Sequence, residues 1–186
     1  MSTVMDAKTA SNLELIGSLI RDVAYFPKPG SVFKDITPRL ASPGGFAASI
    51  VELVRSAPSD IDVVVGMEAR GFIFGAPVAL ALGAGFVPVR KPGKLPGDVL
   101  SEKFALEYGE EVLNIHADAI SAGSRVLVVD DVLATGGTIA ATAGLLKQLG
   151  ATLVHVSVLM DLAFLGGKQV LADQGIASVS SVITVE

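Results

Sequence analysis

The stretch VLVVDDVLATGGT, residues 126–138, decides how the chain is read. Four apolar residues run into two adjacent carboxylates, Asp130 and Asp131, and then into a turn of small residues, ATGGT. A short apolar run rich in β-branched side chains reads as a buried strand, here 125–131, and the pattern after it as a helix over about 137–149. In a doubly wound sheet, ligands bind at the carboxyl ends of the strands. A helix that starts there offers free N–H groups and the positive end of its dipole to a phosphate. Gly136 and Gly137 let the backbone approach closely, while Thr135 and Thr138 add hydroxyl donors. Asp130 and Asp131 stand where vicinal sugar hydroxyls can donate to them. Two such acids are costly beside a buried strand unless something satisfies them. The bland alternative is a plain strand–turn–helix with the acids as turn formers.

Outward from this stretch the same alternation recurs. IDVVVG (61–66), GFVPV (85–89) and LVHVSVLM (153–160) read as further strands, and ASVSSVITV (177–185) as a last, edge strand. Helices are expected at about 71–82 and 45–55, and one capped by Ser11 or Asn12 carries Leu13, Ile16, Leu19, Ile20 and Val23 at helical spacing. The first ten residues read as frayed. FPKPG (26–30) breaks that helix with two prolines and a glycine. The expected fold is α/β, a mostly parallel sheet flanked by helices. One segment interrupts the alternation: RKPGKLPGDVLSEKFALEYGEEVLNI, residues 90–115, is long, polar and rich in Gly and Pro at its start, as functional loops and lids are. FALEY and EVLNI can pair as a hairpin around Gly109.

Composition bounds the rest. The 186 residues are 51% hydrophobic and 5% aromatic, with no Trp, enough for one core of Val, Leu, Ile and Ala in one domain spanning 1–186. The net charge of −5 argues against nucleic acid and anionic membranes as partners, but not against a small anionic ligand. The absence of cysteine excludes disulfides, thiolate catalysis and Cys-held metals. MSTVMDAKTASN lacks a signal pattern, and no apolar run reaches the roughly 18 residues of a membrane span, so the cytoplasm is expected. Neither His116 nor His155 is given a catalytic or metal role; alternation with Val154 and Val156 makes His155 structural.

The quoted stretch resembles the signature of the type I phosphoribosyltransferases, and the resemblance covers about residues 25–183. There is no GK[ST] of a Walker loop and no dinucleotide fingerprint. The resemblance implies that fold, with a small hood and a flexible lid loop. It implies that Asp130 and Asp131 hold the ribose hydroxyls of phosphoribosyl pyrophosphate and that Ala134, Thr135, Gly136, Gly137 and Thr138 hold its 5′-phosphate. Four further segments narrow the match to the adenine-specific members. GMEARGFIFG (66–75) is similar to their pyrophosphate loop, so Glu68, Ala69 and Arg70 meet pyrophosphate, with Arg70 counted as catalytic; such loops can hold a non-proline cis peptide. The plain reading of Arg70 is a surface arginine pairing with Glu68. RKPGKLPG puts Arg90, Lys91 and Lys94 within five residues, either a solvated basic loop or a lid that neutralises a leaving pyrophosphate and excludes water. In FALEYGEEVLNI, Glu107 is implied as the acid or base serving purine N7, and Tyr108 as part of the hood over the pyrophosphate.

FPKPGSVFKDITPRL (26–40) resembles the adenine-recognition segment. By that likeness Phe33 stacks on the purine, and Val32 and Lys34 present backbone groups to its edge; otherwise Phe33 is a core aromatic. Arg is usual where Lys34 stands, a change of little consequence if the backbone reads the base. The implied reaction converts adenine and phosphoribosyl pyrophosphate to AMP and pyrophosphate, in purine salvage. Mg2+ is expected as cofactor, held mainly by substrate oxygens with no direct protein ligand, and a homodimer is expected, with exposed parts of GFIFGAPVAL supplying the interface. Two rivals share the phosphate turn: a non-catalytic regulator of the same fold, and an enzyme for xanthine, hypoxanthine or orotate.

Overall fold

The computed structural model describes the backbone of residues 2–9 and both backbone and side chains of 10–25, 32–105 and 109–186. Contacts within the chain separate it into two compact units, Met1–Arg55 and Ser56–Glu186.

In the first unit, α1 (Ser2–Ser18) is followed by β1 (Arg21–Ala24), β2 (Val32–Asp35), α2 (Thr37–Ala41) and α3 (Pro43–Ser56). The helix expected to open at Ser11 or Asn12 opens at Ser2 instead. Nothing in residues 2–10 stops it: there is no Pro or Gly, and Ala, Met and Lys favour the helix. Cross-strand charge pairs hold β1 antiparallel to β2. Arg21 lies opposite Asp35 at 2.5 Å and Lys34 opposite Asp22 at 2.8 Å, an arrangement worth a few tenths to about 1 kcal/mol per pair. The Asp35 carboxyl also accepts from the Thr37 backbone amide at 2.9 Å. With the Thr37 hydroxyl and Arg21, this lowers its pKa to about 2. Ile16, Leu53 and Ile36 form the apolar interior. Arg39 is buried among them, one guanidinium nitrogen donating to the Ile16 carbonyl. Burial lowers its pKa to about 10.

The second unit is built on a five-stranded, all-parallel sheet. Its strands are β3 (Val63–Met67), β4 (Gly85–Val89), β7 (Arg125–Leu133), β8 (Thr152–Leu162) and β9 (Val179–Val185), in the spatial order β4-β3-β7-β8-β9. Val126–Val129 of the central strand are all fully buried, because both faces of β7 are covered and every side chain must be apolar. The edge strand β9 is half-buried and carries Ser180, Ser181 and Thr184, as exposed edges do. Helix α4 (Arg70–Leu82) packs on β3 and β7, and α5 (Gly137–Gln148) on β8 and on the strand 99–105. The expected hairpin forms, between β5 (Val99–Ala105) and β6 (Glu110–His116) with Gly109 at φ +101°. It reaches further back along the chain than FALEY suggested. A helical turn, Ala163–Leu165, and the short α6 (Gly167–Asp173) link β8 to β9. Strand β7 runs two residues beyond Asp131, so both acids lie inside the strand and the turn proper is only residues 134–136. No helix among the described residues is long and apolar enough to cross a membrane.

Candidate active site

The turn between β7 and α5 leaves the first helical amides without a side-chain cap. Gly136 occupies the cap position at φ +87°, a conformation that favours glycine. These N–H groups are the orphan donors that a helix start offers to an anion. A cavity of about 70 Å³ opens here, lined by Asp130, Leu133, Ala134, Thr135, Gly136 and Thr138 among others. Larger cavities of about 420 and 520 Å³ lie elsewhere, the first beside His155 and Lys147, the second beside His116 and Asp98. Neither contains a residue singled out from the sequence as binding or catalytic, whereas a third, of about 400 Å³, is lined in part by Thr135 and Gly137. The small cavity has the convergent polar groups that make a site.

Both acids abut the N-terminal end of α4. Arg70 Nε stands 2.8 Å from Asp131 Oδ2, and Asp130 Oδ1 lies so close to Gly71 that a Cβ there would be 2.9 Å away. Asp130 Oδ1 also accepts from the Asp131 amide at 2.9 Å. Burial pushes the Asp130 carboxyl well above the usual carboxylate range, and the neighbouring Asp131 carboxylate pushes it further. Asp131 is raised by burial too, and Arg70 opposes that shift. Of the two, Asp131 beside Arg70 is the more easily charged.

The loop after β3 contains the only non-proline cis peptide among the described residues, Glu68–Ala69. The Glu68 amide donates to the Val89 carbonyl at 3.0 Å. Its carboxylate accepts from Arg90 Nε at 2.9 Å. Arg90 is otherwise fixed by a two-way backbone pairing with Asn114, by Nη1 donating to the Lys94 carbonyl at 3.3 Å, and by its guanidinium 5.9 Å above the Phe72 ring. Lys91 Nζ pairs with Glu111 at 2.9 Å, and the Lys94 side chain is exposed. The cations expected at a pyrophosphate therefore hold acids instead: Arg70 holds Asp131, Arg90 holds Glu68 and Lys91 holds Glu111. Exposed ion pairs are worth about 0–1 kcal/mol, so exchanging Glu111 for a phosphate oxygen costs Lys91 little. Gly71, Phe72 and Asn114 were missed by sequence reasoning. Only Gly71 left a signal there, as a glycine in the first turn of an expected helix.

The base segment belongs to the first unit. Val32 is 54% exposed, Phe33 half-buried and Lys34 paired with Asp22. Glu107 and Tyr108 lie outside the described residues, as does all of FPKPG. His155 is structural, as expected: its two ring nitrogens each stand 2.8 Å from a serine hydroxyl, Ser178 and Ser180, and burial lowers its pKa. No group of three acidic or histidine side chains that could hold a metal occurs among the described residues. The carboxylate that lines the cavity is Asp130, an oxygen donor that suits a hard cation carried by a substrate.

Residues 33–181 match the phosphoribosyl transferase domain family. The adenine phosphoribosyltransferase of Cutibacterium acnes is 64% identical over 172 residues, covering 92% of this chain and 97% of that one. Among solved structures, the adenine phosphoribosyltransferase of Thermoanaerobacter pseudethanolicus is 48% identical with a TM-score of 0.89, covering 93% of this chain and 99% of its own. That of Saccharomyces cerevisiae, solved with adenine and an imino-altritol bisphosphate, is 41% identical with a TM-score of 0.86 and covers 93% and 99%.

Proposed function

The chain belongs to the adenine phosphoribosyltransferases, and from that premise we propose how its own residues transfer a phosphoribosyl group from phosphoribosyl pyrophosphate to adenine, giving AMP and pyrophosphate in purine salvage. The observation that carries this reading is the buried acid pair Asp130–Asp131, held against Arg70 and opening directly onto the uncapped glycine start of α5. In the reaction the bond from the anomeric carbon to pyrophosphate breaks and one to adenine forms, through a transition state with positive charge on the sugar. The turn residues Ala134, Thr135, Gly136, Gly137 and Thr138 bind the 5′-phosphate, and Asp130 and Asp131 accept from the ribose hydroxyls. Glu68, Ala69, Arg70, Arg90, Lys91 and Lys94 face the pyrophosphate, their cations leaving acid partners for phosphate oxygens. Positioning and charge neutralisation of this kind account for most of such a rate enhancement. Magnesium, carried on the substrate's own oxygens, supplies further neutralisation of the leaving group.

In this reading Val32, Phe33 and Lys34 bind adenine, Glu107 exchanges the proton at purine N7, and Tyr108 lies in the hood. The yeast relative, solved with adenine, supports a base site in this family. The chain acts as one domain in the cytoplasm. It pairs with a second copy through α4, whose Ile73, Ala76 and Leu80 form an exposed apolar stripe at helical spacing. The test is steady-state AMP formation set against product formation with hypoxanthine, guanine and orotate. Adenine is expected to exceed the others by orders of magnitude, and an equal rate with any of them defeats the assignment. Glu107→Ala should lower turnover far more than binding of the sugar pyrophosphate; unchanged turnover removes Glu107 from the mechanism.

A further inference from the structure

We propose that Asp161 and Lys168 are positioning residues for the phosphate turn, acting through Gly167. This rests on the reading of residues 134–138 as the 5′-phosphate site, and it extends that site to a chain segment about thirty residues further on.

The turn does not stand alone. A Cβ on Gly136 would meet the Gly167 carbonyl oxygen at 3.0 Å and Leu171 Cγ at 3.3 Å. In return, a Cβ on Gly167 would overlap the Ala134 carbonyl outright and lie 2.9 Å from Leu133 Cδ1. The two glycines bring the backbone at the start of α6 into contact with the backbone of the turn, so a shift in either displaces the other. Leu171, fully buried, closes the contact from one side.

That segment is poorly equipped to hold its own place. It opens on Gly166 at φ +69° and Gly167, with no side-chain cap. Consecutive glycines are the loosest backbone available, and a helix of seven residues is too short to be stable by itself. A restraint from outside is needed, and Lys168 supplies it. Its Nζ reaches Asp161 Oδ2 at 2.9 Å and Ser181 Oγ at 3.1 Å, tying the first turn of α6 to β8 and β9. Asp161 is the fixed end of the tie. It is 2% exposed at the carboxyl end of β8, opposite Leu133, the last residue of β7 before the turn. Its Oδ1 is buried with no hydrogen-bond partner. A carboxylate in that state is poor for stability; what it provides is a rigid anchor for Lys168 beside the turn.

A residue that acts through the turn should alter binding of the phosphorylated sugar and little else, because uniform binding changes KM and not kcat. Lys168→Met is the main variant, since Lys168 itself is half-exposed, with its fold checked by circular dichroism because the buried Asp161 carboxylate loses its cation. Its KM for phosphoribosyl pyrophosphate should rise about tenfold, with ribose 5-phosphate binding by calorimetry weakened about as much, equivalent to about 1.4 kcal/mol. kcat and the KM for adenine should stay within twofold, and Lys168→Arg should restore the lost affinity. Asp161→Asn should match Lys168→Met, and the double variant should be no worse than either single one, as expected of two residues in one unit. If Asp161→Asn does not fold, Lys168→Met and Lys168→Arg carry the test alone. Wild-type protein that binds ribose 5-phosphate together with a Lys168→Met variant that binds it equally well overturns the brace and leaves the phosphate site standing. Wild-type protein that fails to bind it overturns the phosphate site itself. A Lys168→Met variant whose kcat falls and whose adenine KM rises, each more than twofold, overturns the positioning role.

Discussion

Gly71→Ala separates the needs of the site from those of the fold. Gly71 lies in the first turn of α4, where its added Cβ would sit 2.9 Å from Asp130 Oδ1 and 3.4 Å from the Val129 carbonyl. The first distance is shorter than real Cβ contacts, but the obstructing atom is the end of a side chain, so Asp130 moves and the backbone stays. Alanine in a helix is worth up to about 1 kcal/mol over glycine. That gain offsets the disturbance at Asp130, leaving the thermal midpoint of the free protein within about 4 °C of wild type. The site has no such compensation. Displacing Asp130 breaks one hydrogen bond between a charged acceptor and a ribose hydroxyl, worth about 1.5–3 kcal/mol. That loss is a fall of roughly 10- to 150-fold in kcat/KM for phosphoribosyl pyrophosphate. Initial rates over a range of that substrate at saturating adenine, beside a thermal melt, measure both quantities. A kcat/KM within twofold of wild type would show that Asp130 does not hold the sugar from its observed position. A large loss of stability would show that the backbone, not the carboxylate, gave way.

Asp130 carries a second consequence. Its pKa is raised in the folded protein, so the stability it contributes is complete below the unfolded value near 4 and is lost as pH rises through the raised one. Asp130→Asn removes that loss, so the substrate-free variant should melt above wild type at pH 8, with the gap closing toward pH 4; a gap of constant size refutes the assignment. Asp35 has the opposite sign: its pKa is lowered to about 2, so its contribution is present above the usual carboxylate range and lost as pH falls through 2. Asp35→Asn should therefore be less stable than wild type at pH 6 and converge with it in strong acid, as followed by circular dichroism. Leu80→Glu puts a charge on the 84% exposed residue of the α4 stripe. Light scattering should report a monomer, and an unchanged dimer mass would place the interface elsewhere.

What the sequence showed of this fold was whatever depends on neighbours along the chain. The strands of the parallel sheet were legible as short, mostly apolar runs, at 61–66, 85–89, 125–131 and 153–160, while the extensions to 133 and 162 were not. The hairpin at Gly109 was legible from its turn. The β1–β2 pair was not: RDVA and VFKD have neither alternation nor apolar runs, and they are strands because Arg21 finds Asp35 and Asp22 finds Lys34 across a register that only the fold provides. Helix α6 was missed for a similar reason, since it begins on two glycines and owes its place to Lys168 and Leu171.

The site divides along the same line. The turn at 134–138 could be read directly, because a strand end, a pair of glycines and a helix start form one continuous segment. The partners that define its acids could not be read, because Arg70 and Gly71 lie about sixty residues upstream and reach Asp131 and Asp130 only where α4 packs on β7. Nearness along the chain pairs Arg70 with Glu68, yet Glu68 is held by Arg90 and Arg70 stands at Asp131. That exchange matters for the chemistry. It places the Arg70 cation on the acid proposed to hold the ribose, so on that reading the acid pair and the loop after β3 share a charge and binding at one would be felt at the other. On the proposed roles, phosphate at the loop would draw Arg70 from Asp131 and raise the demand of that carboxylate for hydrogen-bond donors as the ribose hydroxyls arrive. The coupling requires two segments distant in sequence to meet, and local pattern carries no trace of it.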